Sequence, residues 1–415
     1  MITGCVARCA LIAVVLSMAA PVAMAQQVPP PIPEPVDTGY ITYDEGPISL
    51  PLGIGFRLPT YDRVNGLSLS WGPKIASRND SIRIDPTVTY RSHLGEFDPG
   101  VAVRITSPSG FGVDFFGGRG TFTNDRWIRS DISNSAAAIF AGSDARNYYR
   151  SDRASLELSQ TLGPDSTQFR FALGGRTERD WSTGMRSPVT SYPWSVFGRK
   201  DSLKMRRPNP TIWRGHITSA LGRIDMNYDR EEVKASVDAF LERALDVRLD
   251  EPFVFFTPGG PVLSVRRKTD KFTQVTIGSK ARFPTFGTQN FEFRGHFVIS
   301  PDSAPPQRYA YLGGSGTLAT VDQLALGGDR LVFVQGEYAI PLDSLLLPFI
   351  GSPTLLVRYA AGSAGIQDLP DFIQNIGAGV GFKVVKVMFH YDPNYRRTPF
   401  TQKQKLTIGL SLPTL

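Results

Sequence analysis

Apolar and polar residues alternate one by one over short runs along most of this chain. "KLTIGLSL" sets Leu406, Ile408, Leu410 and Leu412 on one face and Thr407, Gly409 and Ser411 on the other. "FEFRGHFVI" opposes Phe291, Phe293, Phe297 and Ile299 to Glu292, Arg294 and His296, and "QFRFALGG" opposes Phe169, Phe171 and Leu173 to Arg170 and Ala172. "LVFVQGEYAI" and "IGAGVGFKV" repeat the pattern. A period of two is the signature of β-strands. A soluble sandwich keeps its polar face outside and its apolar face in a core. Charged residues on one face of so many strands suit a wet lumen behind an apolar outer wall.

Connection lengths predict the topology. Ser107–Gly110 and Gly163–Ser166 are tight turns rich in Pro and Gly. The stretches 120–150, 180–210 and 245–270 are long and polar and predict external loops. Strands are expected at 48–58, 66–73, 82–91, 99–107, 111–119, 152–161, 167–177, 212–226, 232–243, 271–283, 290–300, 330–341, 354–362, 375–384, 385–391 and 404–413. That is an all-β, transmembrane antiparallel β-barrel of about 16 strands, with 12 or 14 left open. "RYAYLGGSGTLATVDQLALGGDRLVFVQGEYAIPL", Arg308–Leu342, reads as a long loop running into the strand that starts at Leu331.

The ends add compartment. Residues 1–25 hold one charged residue, Arg8, an apolar run and the Ala23-Met24-Ala25 triplet. This predicts a signal peptide, with a membrane anchor as the alternative. Both cysteines, Cys5 and Cys9, fall inside it, so the mature chain is expected to have no thiol. Residues 26–47 are proline-rich and predict an extended segment too short for a folded domain. Residues 48–415 are then one barrel. The sequence is 41% hydrophobic, yet no later run approaches the ~20 apolar residues of a spanning helix. The net charge of +7 suits lipopolysaccharide phosphates or anionic solutes without fixing a partner.

Several residues match a known pattern. Tyr311 precedes Leu312-Gly313-Gly314; Gly328-Asp329-Arg330 and Glu337-Tyr338 with Pro341-Leu342 follow, and "YDRVNGLSLSWG" lies early in the chain. The sequence resembles the BamA/TamA-like (bacterial surface antigen) superfamily of outer-membrane assembly barrels. The resemblance implies sixteen strands and a loop folded into the lumen between the eleventh and twelfth. It also marks departures. The chain has no room for the family's POTRA domains and reads as a POTRA-less branch. Where the family carries an arginine in the loop motif, this chain has Leu318, Ala319, Thr320 and Val321. Where the family carries the partner acid on the next strand but one, it has Ala360. Period two points Glu337 and Arg358 into the lumen on neighbouring strands, which predicts a replacement ion pair; the alternative is two separately hydrated side chains.

No Gly-x-Ser-x-Gly, His-Glu-x-x-His or phosphate-binding loop is present. Gly377-x-Gly379-x-Gly381 lies within a strand, and the four histidines are scattered. Lys204–Arg207 and Arg266–Lys268 are candidates for lipopolysaccharide contact or simple solubility. Trp71, Trp181 and Trp213 are candidate interfacial residues. The chain is therefore expected to be no enzyme and to use no metal or cofactor and bind no nucleic acid. Its expected role is assembly or translocation in the bacterial outer membrane, inserting or transporting polypeptide or lipid. Its partners would be membrane lipids including lipopolysaccharide, a client polypeptide or a periplasmic protein. The working element would be the first–last strand seam, with the C-terminal strand carrying Leu406, Ile408, Gly409, Leu410 and Leu412. The alternative is a passive pore or structural barrel. The two faces are separable by experiment: Leu410→Arg should hinder folding into lipid far more than Ser411→Arg, since an outward arginine at mid-membrane costs roughly 2–4 kcal/mol. Equal effects in a vesicle-folding assay would mean the faces are inverted.

Overall fold

The computed structural model describes residues 48–183, 196, 207–230, 233–257, 260–345, 351–382 and 385–410. The expected signal peptide, the proline-rich segment, most of 180–210, Leu412 and the Leu410 side chain lie outside them. Nineteen strand segments form one antiparallel sheet in which chain neighbours pair. Two pairs of segments are broken halves of one strand each. Gly66–Trp71 and Lys74–Ala76 both face Ile82–Arg91. Ile48–Ser49 and Thr60–Asp62, with a bridge at Phe56, line the opposite edge of the same strand. A further segment, Gly260–Lys268, is only the return arm of a hairpin. Among the described residues sixteen positions remain across the wall, from residues 48–62 to Gln404–Leu410.

The alternation is visible as burial. Leu156 and Leu158, Phe171 and Leu173, and Leu355, Val357 and Tyr359 are exposed large apolar residues two apart on their strands. Such a continuous apolar face is foreign to soluble surfaces and is the outer band of a membrane wall. Among the described residues no helix is long and apolar enough to cross a membrane, which says nothing about strands. The inner face is stitched by charge. Arg150 reaches Asp98 at 2.6 Å and Glu96 at 3.0 Å, Arg91 holds Asp98 at 2.9 Å, and Arg170 spans Asp114 and Asp225 at 2.9 and 3.4 Å.

Two expected loops differ. Residues 245–257 and 260–268 are strand rather than loop: Val233–Thr257 runs for 25 residues and is paired from Leu249 to Thr257 with the return arm Gly260–Lys268. Its Val254 and, on the return arm, Leu263 and Val265 are exposed, with Val254 and Leu263 register partners, so the wall's own pattern continues where polarity had suggested a loop. Residues 123–148 turn inward instead of standing outside. They contain the helix Asp131–Ala141, and Asp125, Asn134, Ala138, Asp144 and Ala145 are buried. In a Cys5→Ser, Cys9→Ser background, a cysteine replacing Ala138 should resist a polar thiol reagent until the protein is denatured. One replacing Asp270, exposed beyond the hairpin, should react at once; equal rates would place residues 123–148 outside.

Candidate functional site: two inward segments and an open seam

The connection between Asn290–Ile299 and Arg330–Pro341 is the longest inward excursion described. It opens with the 3-10 turn Pro306–Arg308 and contains a small ribbon, Ala310–Leu312 against Leu326–Gly328. Between them the chain reverses at Gly313 and Gly314, with φ of +123° and +91°. A Cβ on Gly313 would lie 2.0 Å from the Asp322 carbonyl oxygen. Only glycine fits there. The Gly314 amide closes the turn by donating to the carbonyls of Leu318 and Val321, both at 3.0 Å.

Arg308 anchors this loop. Its Nε donates to Glu242 Oε2 at 2.8 Å and its Nη2 to Glu242 Oε1 at 2.9 Å, and Nη2 also contacts Glu178. Glu242 further accepts from Ser219 Oγ at 2.7 Å and pairs with Arg176 at 2.6 Å; Glu178 pairs with Arg153 at 2.8 Å. Arg308, Glu178 and Glu242 are 4%, 2% and 1% exposed. The two carboxylates hold the buried guanidinium well above its ordinary pKa. Sequence reasoning placed the loop's charge at the family's motif position and found none. The charge sits eleven residues before Ala319, at the head of the stretch, with no local signal to mark it.

The motif residues themselves bind without charge. Leu318 and Val321 are buried in one cluster with Phe333, Ala360 and Ala364. Ala319 is also buried. Thr320 exchanges hydrogen bonds with Asn375: its amide donates to Oδ1 at 3.0 Å and its Oγ1 accepts from Nδ2 at 2.7 Å. Thr320 O also accepts from the Gln402 amide at 2.8 Å, while the Asp322 amide donates to Phe400 O at 2.8 Å, around a bridge between Val321 and Thr401. The loop tip therefore pairs with the backbone that leads directly into the last strand.

Residues 123–148 pack on this loop. Trp127 stacks on His296 with centroids 4.1 Å apart, Asn124 Nδ2 donates to Gln307 O at 2.9 Å, and Arg129 Nη2 donates to Ser315 Oγ at 2.7 Å. The helix is capped by Ser130, whose side chain accepts from the Ser133 amide, and ends at Gly142 in the left-handed region. Ala138 packs against Tyr61, and the Tyr61 amide donates to Ser135 Oγ at 3.0 Å. The helix thus lies beside the first edge, and it also neighbours Gln404–Leu410 at the last.

Glu337 and Arg358 are register partners on adjacent strands, and Arg358 Nη2 lies 2.5 Å from Glu337 Oε2. Lys386 Nζ reaches the other carboxylate oxygen at 2.5 Å. One acid serves two cations, so this cluster keeps a net positive charge.

Gln404–Leu410 pairs with Val385–Tyr391 on one side only, and Thr60–Asp62 with Gly66–Ser68 on one side only. Among the described residues the two edges are not hydrogen-bonded to each other, and the sheet stays unclosed. Leu406 and Ile408 are exposed, while Thr407 Oγ1 lies 3.0 Å from His390 Nε2 within the wall. A cavity of 1870 Å³ lies at the end of the barrel where the short connections fall. It runs under both inward segments to Lys405–Gly409. The other expected contacts are modest. Arg267 and Lys268 are paired with Asp250 at 3.0 Å and Glu251 at 3.7 Å, and Arg266 lies over Phe253. Trp71 is exposed, whereas Trp213 packs against a buried cluster. Among the described residues no group of acidic, histidine or cysteine side chains could hold a metal.

No family model and no curated protein matches the chain. Among solved structures it is similar to CdiB from Escherichia coli, with 11% identity and a TM-score of 0.48 over 88% of this chain and 63% of that one. It is also similar to BamA from Haemophilus ducreyi lacking POTRA domains 1-3, with 12% identity and a TM-score of 0.48 over 85% of this chain and 69% of that one. CdiB from Acinetobacter baumannii follows with 9% identity and a TM-score of 0.44 over 85% and 58%. The chain spans less than two thirds of either CdiB.

Removing one partner of the Arg308 cluster leaves buried charge uncompensated, which costs roughly 3–5 kcal/mol. Arg308→Met and Glu242→Gln should each lower the temperature of the heat-modifiable gel shift and open residues 313–325 to protease. The double variant should lose clearly less than the sum. Simple additivity would show that Arg308 does not hold the loop through Glu242.

Proposed function

We propose that this chain is an outer-membrane barrel that inserts or moves extended polypeptide or lipid at its unpaired edge. The observation that carries the reading is the Gln404–Leu410 strand, which among the described residues pairs on one side only. An edge strand presents a row of free backbone donors and acceptors that can template another strand. The loop tip at Thr320–Asp322 grips the lead-in to that strand, so the anchored loop holds the edge in place without closing it. The sequence resemblance to the assembly-barrel superfamily supports the same reading. The work needs strand exchange and no covalent step. Its partners would be a client polypeptide or a periplasmic protein delivering one, and the surrounding lipids. Lipopolysaccharide contact at Arg266–Lys268 is a weaker part of the reading, since two of the three cations already have acidic partners.

A second reading, a passive pore, is favoured by the large interior cavities. A second cavity, of 780 Å³, lies on the other side of Trp127 and Arg126 from the first. Reconstitution separates the two. Vesicles holding the full chain should insert an unfolded outer-membrane barrel faster than protein-free vesicles. A peptide of residues 405–412 should compete for the edge and suppress the gain. Steady ion conductance with no acceleration would overturn the assembly reading in favour of the pore.

A further inference from the structure

The 1870 Å³ cavity is lined by ten Lys or Arg side chains against four Asp or Glu. This excess is local: the whole chain carries only +7. Several of the cations are not neutralised in place. Arg358 and Lys386 share the single carboxylate of Glu337. Arg294 donates to the carbonyls of Ile128 and Gly316, not to an acid. Lys280 is its register partner on the next strand, so two cations stand side by side. Like charges gathered in a low-dielectric enclosure focus a strong positive potential.

The cavity also has an apolar side exit. Lys405 to Gly409 line it as five consecutive residues. Here Leu406 and Ile408, 63% and 68% exposed, border it as well. The space thus reaches a strand whose outward residues are apolar and whose far edge is unpaired among the described residues. A charged chamber that opens sideways onto an apolar surface fits a molecule with an anionic head and an apolar tail.

We propose that this chamber binds the phosphate headgroup of a membrane lipid, with the acyl chains leaving through the seam between Gln404–Leu410 and the first strand. Guanidinium groups pair with phosphate oxygens in a two-pronged geometry and ammonium groups as point charges, and the chamber offers both. Arg294 stands deep against the inward segments, Lys280 stands exposed beside it on the next strand, and Lys405 lines the cavity on the last strand. The inference rests on the reading of the edge as facing a bilayer.

The test uses the full chain in uncharged detergent, titrated with dioctanoyl phosphatidic acid and followed by native mass spectrometry. Three comparison ligands are used: glycerol phosphate, dioctanoylglycerol and a poly-glutamate peptide. Phosphatidic acid should bind best, and Lys280→Gln should weaken it by about tenfold, the scale of one lost hydrogen bond to a charged group. Lys280 is exposed in the chamber, so its replacement leaves the fold intact; Lys405→Gln provides a second variant at the exit. Equal binding of glycerol phosphate would assign the chamber to a soluble anion and overturn the lipid. Equal binding of dioctanoylglycerol would make the contact merely apolar, and tighter binding of poly-glutamate would assign it to acidic polypeptide; each also overturns the proposal. The client-insertion assay runs on the same preparation. Insertion without phosphatidic acid binding overturns this inference alone. Phosphatidic acid binding without insertion supports it and overturns the polypeptide half of the proposed function.

Discussion

The interior of this barrel depends on one buried cation. Arg308 reaches two carboxylates on two different strands, and all three groups are almost wholly removed from water. Transfer of such charges out of water is costly, and only close multiple contacts offset it. The geometry that satisfies Arg308 also fixes where the loop enters the lumen. Pro306 and Gln307 follow: Asn124 binds the Gln307 carbonyl, and Gln307 itself reaches the Trp213 carbonyl at 3.3 Å. The second inward segment is thus seated on the first, and both are seated on the wall through charge.

From that anchor the loop runs to the far side of the barrel and ends as backbone pairing. Arg308 binds the wall at Thr167–Ser182 and Val233–Thr257, while Thr320 and Asp322 pair with Phe400 and Gln402. One segment links the middle of the sheet to its last hairpin. That link explains how the final strand stays ordered with one side unpaired, because its lead-in is held from within. The helix Asp131–Ala141 occupies the neighbouring interior, tied to Tyr61 at the first edge. The seam is bordered by held elements on both sides, yet nothing described bonds one edge to the other.

The wall was legible from sequence because its code is local. Leu406 and Ile408, or Phe171 and Leu173, declare their face by being two residues apart, and turns such as Gly163–Ser166 declare the hairpins. That code also located the loop before Arg330 and placed Glu337 and Arg358 on neighbouring inward positions. The inward turn of 123–148 was illegible because its causes are distant: Trp127 meets His296, and Asn124 meets Gln307. Polarity alone cannot separate a loop facing water from one satisfied by a polar lumen. The extended hairpin of Val233–Thr257 and Gly260–Lys268 was missed for a related reason: its Arg and Asp residues read as loop, though Leu263 and Val265 keep the strand period and Val254 faces Leu263. Arg308 was invisible as an anchor, since Glu178 and Glu242 lie 130 and 66 residues away.

Hydrogen exchange along Gln404–Leu410 tests the account most directly. In an antiparallel pair, alternate residues point their amides to opposite sides. About half of these amides should be protected by Val385–Tyr391 and the rest, facing the seam, should exchange within the dead time. Arg308→Met should then extend fast exchange to the amides of Gln402 and Asp322, which donate to the Thr320 and Phe400 carbonyls across the loop tip. Uniform slow exchange across the strand, matching the doubly paired Arg214–Arg230, would show a closed sheet and contradict the account.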